Sequence, residues 1–209
     1  RAIEVGEEAL KKFPGNSLLL ETIGRAQLAL GLTADAQATF QNWVNAAPET
    51  ALAHRYLAEA YIGGQTSPEA PEWKAIVEAQ EAVRLAPQDK AAKLVLGHAL
   101  LANQRVVGAR EVANELKNAY PDELGVVELD GLVARVEERL PEAVAAFKKA
   151  VGTADNAADR RRLAEAQFRL GQVEDGVGTL RTWLDAHPGD GTTRQFWAEL
   201  SRKAGRFSE

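Results

Sequence analysis

The sequence predicts an all-α chain of repeated helical hairpins, about twelve helices and no sheet. Three observations carry this. Prolines recur at a fixed spacing: Pro14 and Pro48 lie 34 residues apart, as do Pro87 and Pro121. Small residues recur at two set places between them. The composition is 45% hydrophobic but only 6% aromatic, with alanine prominent. Alanine costs least in a helix and lets helices approach closely.

The elements follow in order from that period. Residues 2–13 read as the second helix of a hairpin, closed by Pro14-Gly15. Five full repeats come next, at 17–50, 51–89, 90–123, 124–156 and 157–190. Ser17 is expected to cap its helix. A lone first helix is expected over 192–204, and 206–209 reads as the turn before another second helix. The plan is thus one array over 1–209, with half repeats at 1–16 and 191–209. Solenoids need polar caps, and neither end carries one, so the parent chain is expected to continue both ways. The gap from Pro48 to Pro87 is 39 residues, which puts a five-residue insertion in the loop 63–72 (GGQTSPEAPE). A surface insertion of this kind costs little entropy. Pro121 to Pro188 spans 67 residues, two repeats less one, and Asp155 stands where the intervening proline would be.

Within each repeat the first small site holds Gly24, Ala58, Gly97, Gly131, Ala164 and Ala198. The second holds Ala2, Ala36, Ala75, Ala109, Ala143 and Gly176. Larger residues such as Phe40, Trp43, Leu116, Phe147, Leu180 and Trp183 follow one or two turns later. Small residues let two helices touch, and the large ones fill the space that remains at helical spacing. Two positions depart from the pattern. Asp130 replaces an apolar residue, and is expected to be locally hydrogen-bonded or partly exposed. Gly176 replaces an alanine.

Composition removes several function classes. The net charge is -5, whereas nucleic-acid binding usually calls for a basic stripe. No run approaches the roughly 18 apolar residues of a membrane span. With no Cys there is no disulfide, thiolate nucleophile or Cys-based zinc site. His54, His98 and His187 fall in different repeats without metal-ligand spacing, and are read as face or packing residues. The few serines, Ser17, Ser67, Ser201 and Ser208, show no triad-like setting. Gly176-Val177-Gly178 lacks the strand and further glycines of a phosphate loop. The carboxylates spread over helical surfaces. We therefore expect no enzyme, no cofactor and no metal.

Six registers sharing two small sites and a terminal proline resemble the tetratricopeptide-repeat (TPR) family over essentially the whole chain. The resemblance implies a right-handed superhelical solenoid whose partners are other proteins or peptide segments. It also implies that positions 2, 5, 9 and 12 of each first helix line a concave groove. The implied partner-binding set is Glu21, Arg25, Leu28, Arg55, Glu59, Leu94, His98, Leu101, Leu132, Arg135, Arg161, Glu165 and Phe168. Leu18, Leu52 and Glu128 belong to the wider lining. Apolar burial would supply affinity there, and charge would set register. TPRs that grip chaperone tails use Lys and Asn on successive first helices; Glu21, Arg25, Tyr56, Ala91 and Val95 stand at those places, so that clamp is absent.

Two segments have a narrower likeness. Residues 120–150, with Gly131 and Leu-Pro-Glu-Ala at 140–143, resemble long bacterial TPR proteins of exosortase/PEP-CTERM exopolysaccharide systems. Residues 161–190, with Thr-Leu-Arg-Thr-Trp-Leu at 179–184, do so as well. This implies a periplasmic or envelope-associated scaffold in polysaccharide or protein export. The arm of an outer-membrane export porin, or the regulatory part of an enzyme such as a glycosyltransferase, would use the same repeats. A cytoplasmic place is the alternative location.

Overall fold

The computed structural model describes residues 2–64 and 73–203. Most of the expected insertion loop, and the expected turn at 206–209, lie outside the described residues. Twelve helices are seen among them: α1 (Ala2–Lys12), α2 (Ser17–Ala29), α3 (Thr33–Ala46), α4 (Ala51–Gly63), α5 (Trp73–Leu85) and α6 (Lys90–Ala102), then α7 (Val106–Ala119), α8 (Leu124–Val136), α9 (Leu140–Thr153), α10 (Ala157–Arg169), α11 (Val173–Ala186) and α12 (Gly191–Lys203). Among the described residues there is no strand. The chain forms two compact units, residues 1–112 and 113–209, divided within α7.

In the first unit α2 packs on α3, α4 on α5, and α3 and α5 each on the helix that follows. In the second unit α8–α9 and α10–α11 form hairpins, α9 packs on α10, and α12 closes on α10 and α11. The predicted small sites lie where these helices meet. Ala36, Ala58, Ala75, Ala109, Ala143 and Ala164 are fully or almost fully buried. Ala198 is exposed instead, because no described second helix pairs with α12.

At three of the small sites glycine answers to an aromatic ring. A methyl group on Gly24 would sit 2.4 Å from the Phe40 ring, and one on Gly131 would sit 2.8 Å from Phe147. In both hairpins the glycine is on the first helix and the ring on the second. The last full hairpin reverses this. Gly176 is on the second helix, and a methyl there would meet Phe168 of the first helix at 2.4 Å. That reversal explains why Gly176 departs from alanine.

Turns within hairpins follow one design. Gly31 and Gly171 adopt φ of 73° and 83°, a left-handed conformation that glycine takes without strain. Gln104 and Glu138 hold the same place at φ of 56° and 60°. In each of the four turns the next backbone N–H closes on a carbonyl five residues back, as from Leu32 to Gln27 and from Gln172 to Gln167.

Turns between repeats place a side chain at the helix start. Asn16, Asp89, Asn156 and Asp190 each accept a hydrogen bond from a first-turn backbone N–H. Asn16 therefore caps α2, and Ser17 is its first helical residue, contrary to the expectation for Ser17. The Asp155 turn is one residue shorter than the proline turns. There the Asn156 amide donates to the Ala154 carbonyl at 3.1 Å, and Arg160 grips the Asp155 carboxylate with two bonds. Asp130, the other departure, is mostly buried and takes an ion pair from Lys117 at 2.7 Å.

A buried cluster of the first unit joins Leu20, Phe40, Trp43 and Leu57. In the second unit Phe147 and Leu163 anchor one cluster, and Leu180 and Leu200 another. Two buried glutamines repeat a polar clamp across hairpins. Gln27 accepts from Thr39, and Gln167 accepts from Thr179, each at 2.8 Å.

Candidate protein-binding faces

The first helices of each unit carry the residues implied by the repeat, and packing treats them differently in the two units. In the first unit α2 shows Glu21, Arg25 and Leu28, and α4 shows Arg55 and Glu59. Arg25 and Arg55 meet over an aromatic residue that the groove positions left out, Tyr56. Phe40 stacks on the Tyr56 ring at 5.3 Å and 12°. Arg55 lies over the same ring at 4.7 Å, and Arg25 at 5.8 Å. Guanidinium groups are attracted to ring faces in this way. Arg25 also pairs with Glu21 at 3.1 Å, one turn away. Glu59 is 3.9 Å from Arg55, and burial pushes its carboxyl above the ordinary range against the pull of Arg55 and Arg25. Leu28 packs onto the core cluster and is only partly available. Leu94, His98 and Leu101 sit half-buried on α6.

The second unit uses its charges internally. Arg135 of α8 donates to both oxygens of Glu165 on α10, at 3.2 and 3.1 Å. Arg161 donates to the Thr193 hydroxyl at 2.8 Å. Thr193 in turn donates to Asp190 through its backbone N–H and its hydroxyl. Those bonds, with one from Trp183, hold the Asp190 carboxyl down at about 2. Leu132 packs against one core cluster, and Phe168 packs beside Leu180 and into the space over Gly176. Phe168 is therefore spent on the hairpin.

A carboxyl pair joins α8 and α10. Asp159 is wholly buried, takes 2.7 and 2.8 Å bonds from Asn156 and Arg162, and shares a hydrogen bond with Glu128. Burial, and then that bond to Asp159, push Glu128 up to about 7, although Arg162 lies 3.9 Å away. Glu128 belonged to the predicted lining; Asp159 and Arg162 did not. The signal for Asp159 was the Asn156-x-x-Asp159 spacing of a reciprocal cap. The signal for Tyr56 was an aromatic beside Arg55, facing a repeat already rich in Phe40 and Trp43.

Two of the histidines are held by neighbouring groups. His54 is buried, with Nδ1 2.6 Å from Glu78 and Nε2 donating to the Pro48 carbonyl at 2.8 Å. His187 stacks on Trp183 at 3.7 Å. Among the described residues no group of three or more His, Cys, Asp or Glu could hold a metal ion. Among the same residues no helix is long and apolar enough to cross a membrane.

A tetratricopeptide-repeat family profile matches residues 22–73, 74–123 and 129–191. The chain belongs to that family. As a TPR array it is a protein–protein interaction module. Solved structures share the fold at low identity. TTC0263, a thermophilic TPR protein of Thermus thermophilus, superposes with a TM-score of 0.79 at 20% identity, covering 88% of this chain and 98% of its own. PilW, a type IV pilus biogenesis factor, gives 0.73 at 16% identity, covering 91% and 86%. YrrB, a TPR protein with an unusual peptide-binding site, gives 0.56 at 13% identity, covering 92% and 97%. No curated protein sequence matches the chain significantly.

Proposed function

We propose that this TPR array is a non-catalytic scaffold that holds a segment of another protein against its first-helix faces. The observation that carries this reading is the face of α2 and α4. Leu18 is 71% exposed there, and the Arg25 side chain is 59% exposed above an aromatic stack. An exposed apolar side chain two turns along the same helix from a fixed, accessible charge suits a peptide, since the first supplies burial and the second register. That YrrB carries a peptide-binding site is in keeping with this use of the fold.

The scaffold assists exopolysaccharide or protein export at the cell envelope. The likeness of residues 120–150 and 161–190 to export-system TPR proteins supports this. PilW, a type IV pilus biogenesis factor, has the same fold. Affinity capture from detergent-solubilised envelope and from cytosol tests both parts. The control is a folded variant carrying Arg25→Glu and Leu18→Asp. Export proteins captured by the parent and lost with the variant are the expected result. Equal capture by both would move the site off this face. Capture of cytosolic proteins alone would overturn the export role.

A further inference from the structure

Arginines on the first-helix faces differ in one respect. Arg135, Arg161 and Arg162 each end on an oxygen of the same unit, at 3.2 Å or less. Arg55 does not. Its side chain is only 17% exposed, yet its guanidinium makes no hydrogen bond among the described residues. Its Nε is fully buried without a partner, as is the Nε of Arg135, but Arg135 has the Glu165 carboxylate for its terminal nitrogen and Arg55 has no such bond. Its nearest carboxylate oxygen, on Glu59, is 3.9 Å away, beyond hydrogen-bond reach.

A planar group with five donors is costly to desolvate and leave unmatched. Glu59 does not supply the match, because its oxygen stands too far from the Arg55 Nε to accept a hydrogen bond. Tyr56 fixes the guanidinium from one side, with Phe40 behind it. Arg25 brings a second guanidinium to the same ring, anchored to Glu21 by one nitrogen only. The fork is thus held in place and lacks its acceptor.

We propose that the α2–α4 face binds a protein segment through an internal Asp or Glu side chain seated between Arg55 and Arg25, with a neighbouring apolar side chain of that segment against Leu18. The inference rests on the protein-binding reading above and names the chemistry of its partner. A carboxylate matches a guanidinium fork with two parallel bonds, which a neutral amide does not. The exposed Leu18 on the same helix favours a peptide over a small anion.

Selection of a random peptide display library on the full chain tests this, with the leading peptide then synthesised. Enrichment of an acidic residue next to Leu, Ile, Val or Phe is expected. Changing that acid to its amide should weaken binding at least about tenfold. Arg55→Gln, Arg55→Lys and the exposed Arg25→Gln should each weaken the acidic peptide but not further weaken the amide one. Arg84→Gln, an exposed change on the second helix α5, should leave affinity unchanged. Circular dichroism confirms that each variant is folded, and Arg25→Gln keeps the test open should Arg55 variants fail to fold. Selected peptides that lack acids, or that bind equally to Arg25→Gln and Arg55→Lys, would overturn this inference and leave the scaffold role standing. A selection that yields no binding peptide would overturn both. Peptides that bind only through a free C-terminal carboxylate or a phosphate would also refute the internal side chain.

Discussion

Gly176→Ala should destabilise the chain, against the usual gain from replacing a helical glycine. The added methyl would lie 2.4 and 2.6 Å from two Phe168 ring carbons and 3.2 Å from the Ala164 carbonyl oxygen. Overpacking of this kind costs about 1–3 kcal/mol. Alanine's better helix propensity returns about 1 kcal/mol. The net expectation is a loss of roughly 1 kcal/mol, set by how far the ring can shift. Phe168→Leu alone should also destabilise, through the void it leaves. The double variant should cost less than the sum, with a coupling of about 1 kcal/mol, because the methyl then fills space the ring has vacated. Urea denaturation followed by circular dichroism and by tryptophan fluorescence would read this as shifts in midpoint at constant slope. A raised midpoint for Gly176→Ala, or strict additivity, would refute the ring-over-glycine account.

Three further outcomes follow from the geometry. Glu128 titrates at about 7 when folded, from an ordinary value of 4.5. The folded chain therefore keeps a proton that the unfolded chain releases. Its stabilising contribution is complete below pH 4.5 and is lost as pH rises through 7, an effect of about 1–2 kcal/mol after screening by solvent. Denaturation curves of the parent should fall across that window relative to Glu128→Gln, and parallel curves would argue against the pair. Gln104→Gly should stabilise by about 0.5–1 kcal/mol, since it relieves a left-handed conformation that glycine adopts freely; a lower melting temperature would contradict this. Asn16→Ala should cost about 1 kcal/mol while Ser17→Ala stays near neutral, because only Asn16 accepts from the helix N-terminus; equal losses in thermal melts would reverse that assignment.

The hairpin plan was legible because close helix packing demands small residues at fixed intervals, and Ala36, Ala58, Ala75 and Ala143 show it directly. Periodicity assigns a residue to a face but does not say which side chain fills a gap. Phe168 falls at a lining position by count, yet the missing methyl of Gly176 draws it inward. Asn16 and Ser17 are adjacent capping types, and only the backbone path decides between them. Asp159 was hidden for a related reason: its burial depends on Arg162, Asn156 and Glu128 converging from two first helices. Arg25 and Arg55 were placed correctly on their helices, but their shared ring was not visible without tertiary contacts.

The central claim, that partners bind the first-helix face, is tested most directly by site-specific photo-cross-linking. A photoreactive residue is placed in turn at exposed Leu18 on α2 and at exposed Ala38 on α3, and the chain is irradiated with its captured partner or selected peptide. Cross-linking from position 18 with none from position 38 is the result this account predicts. Cross-linking from position 38 alone would contradict it and place binding on the second helices.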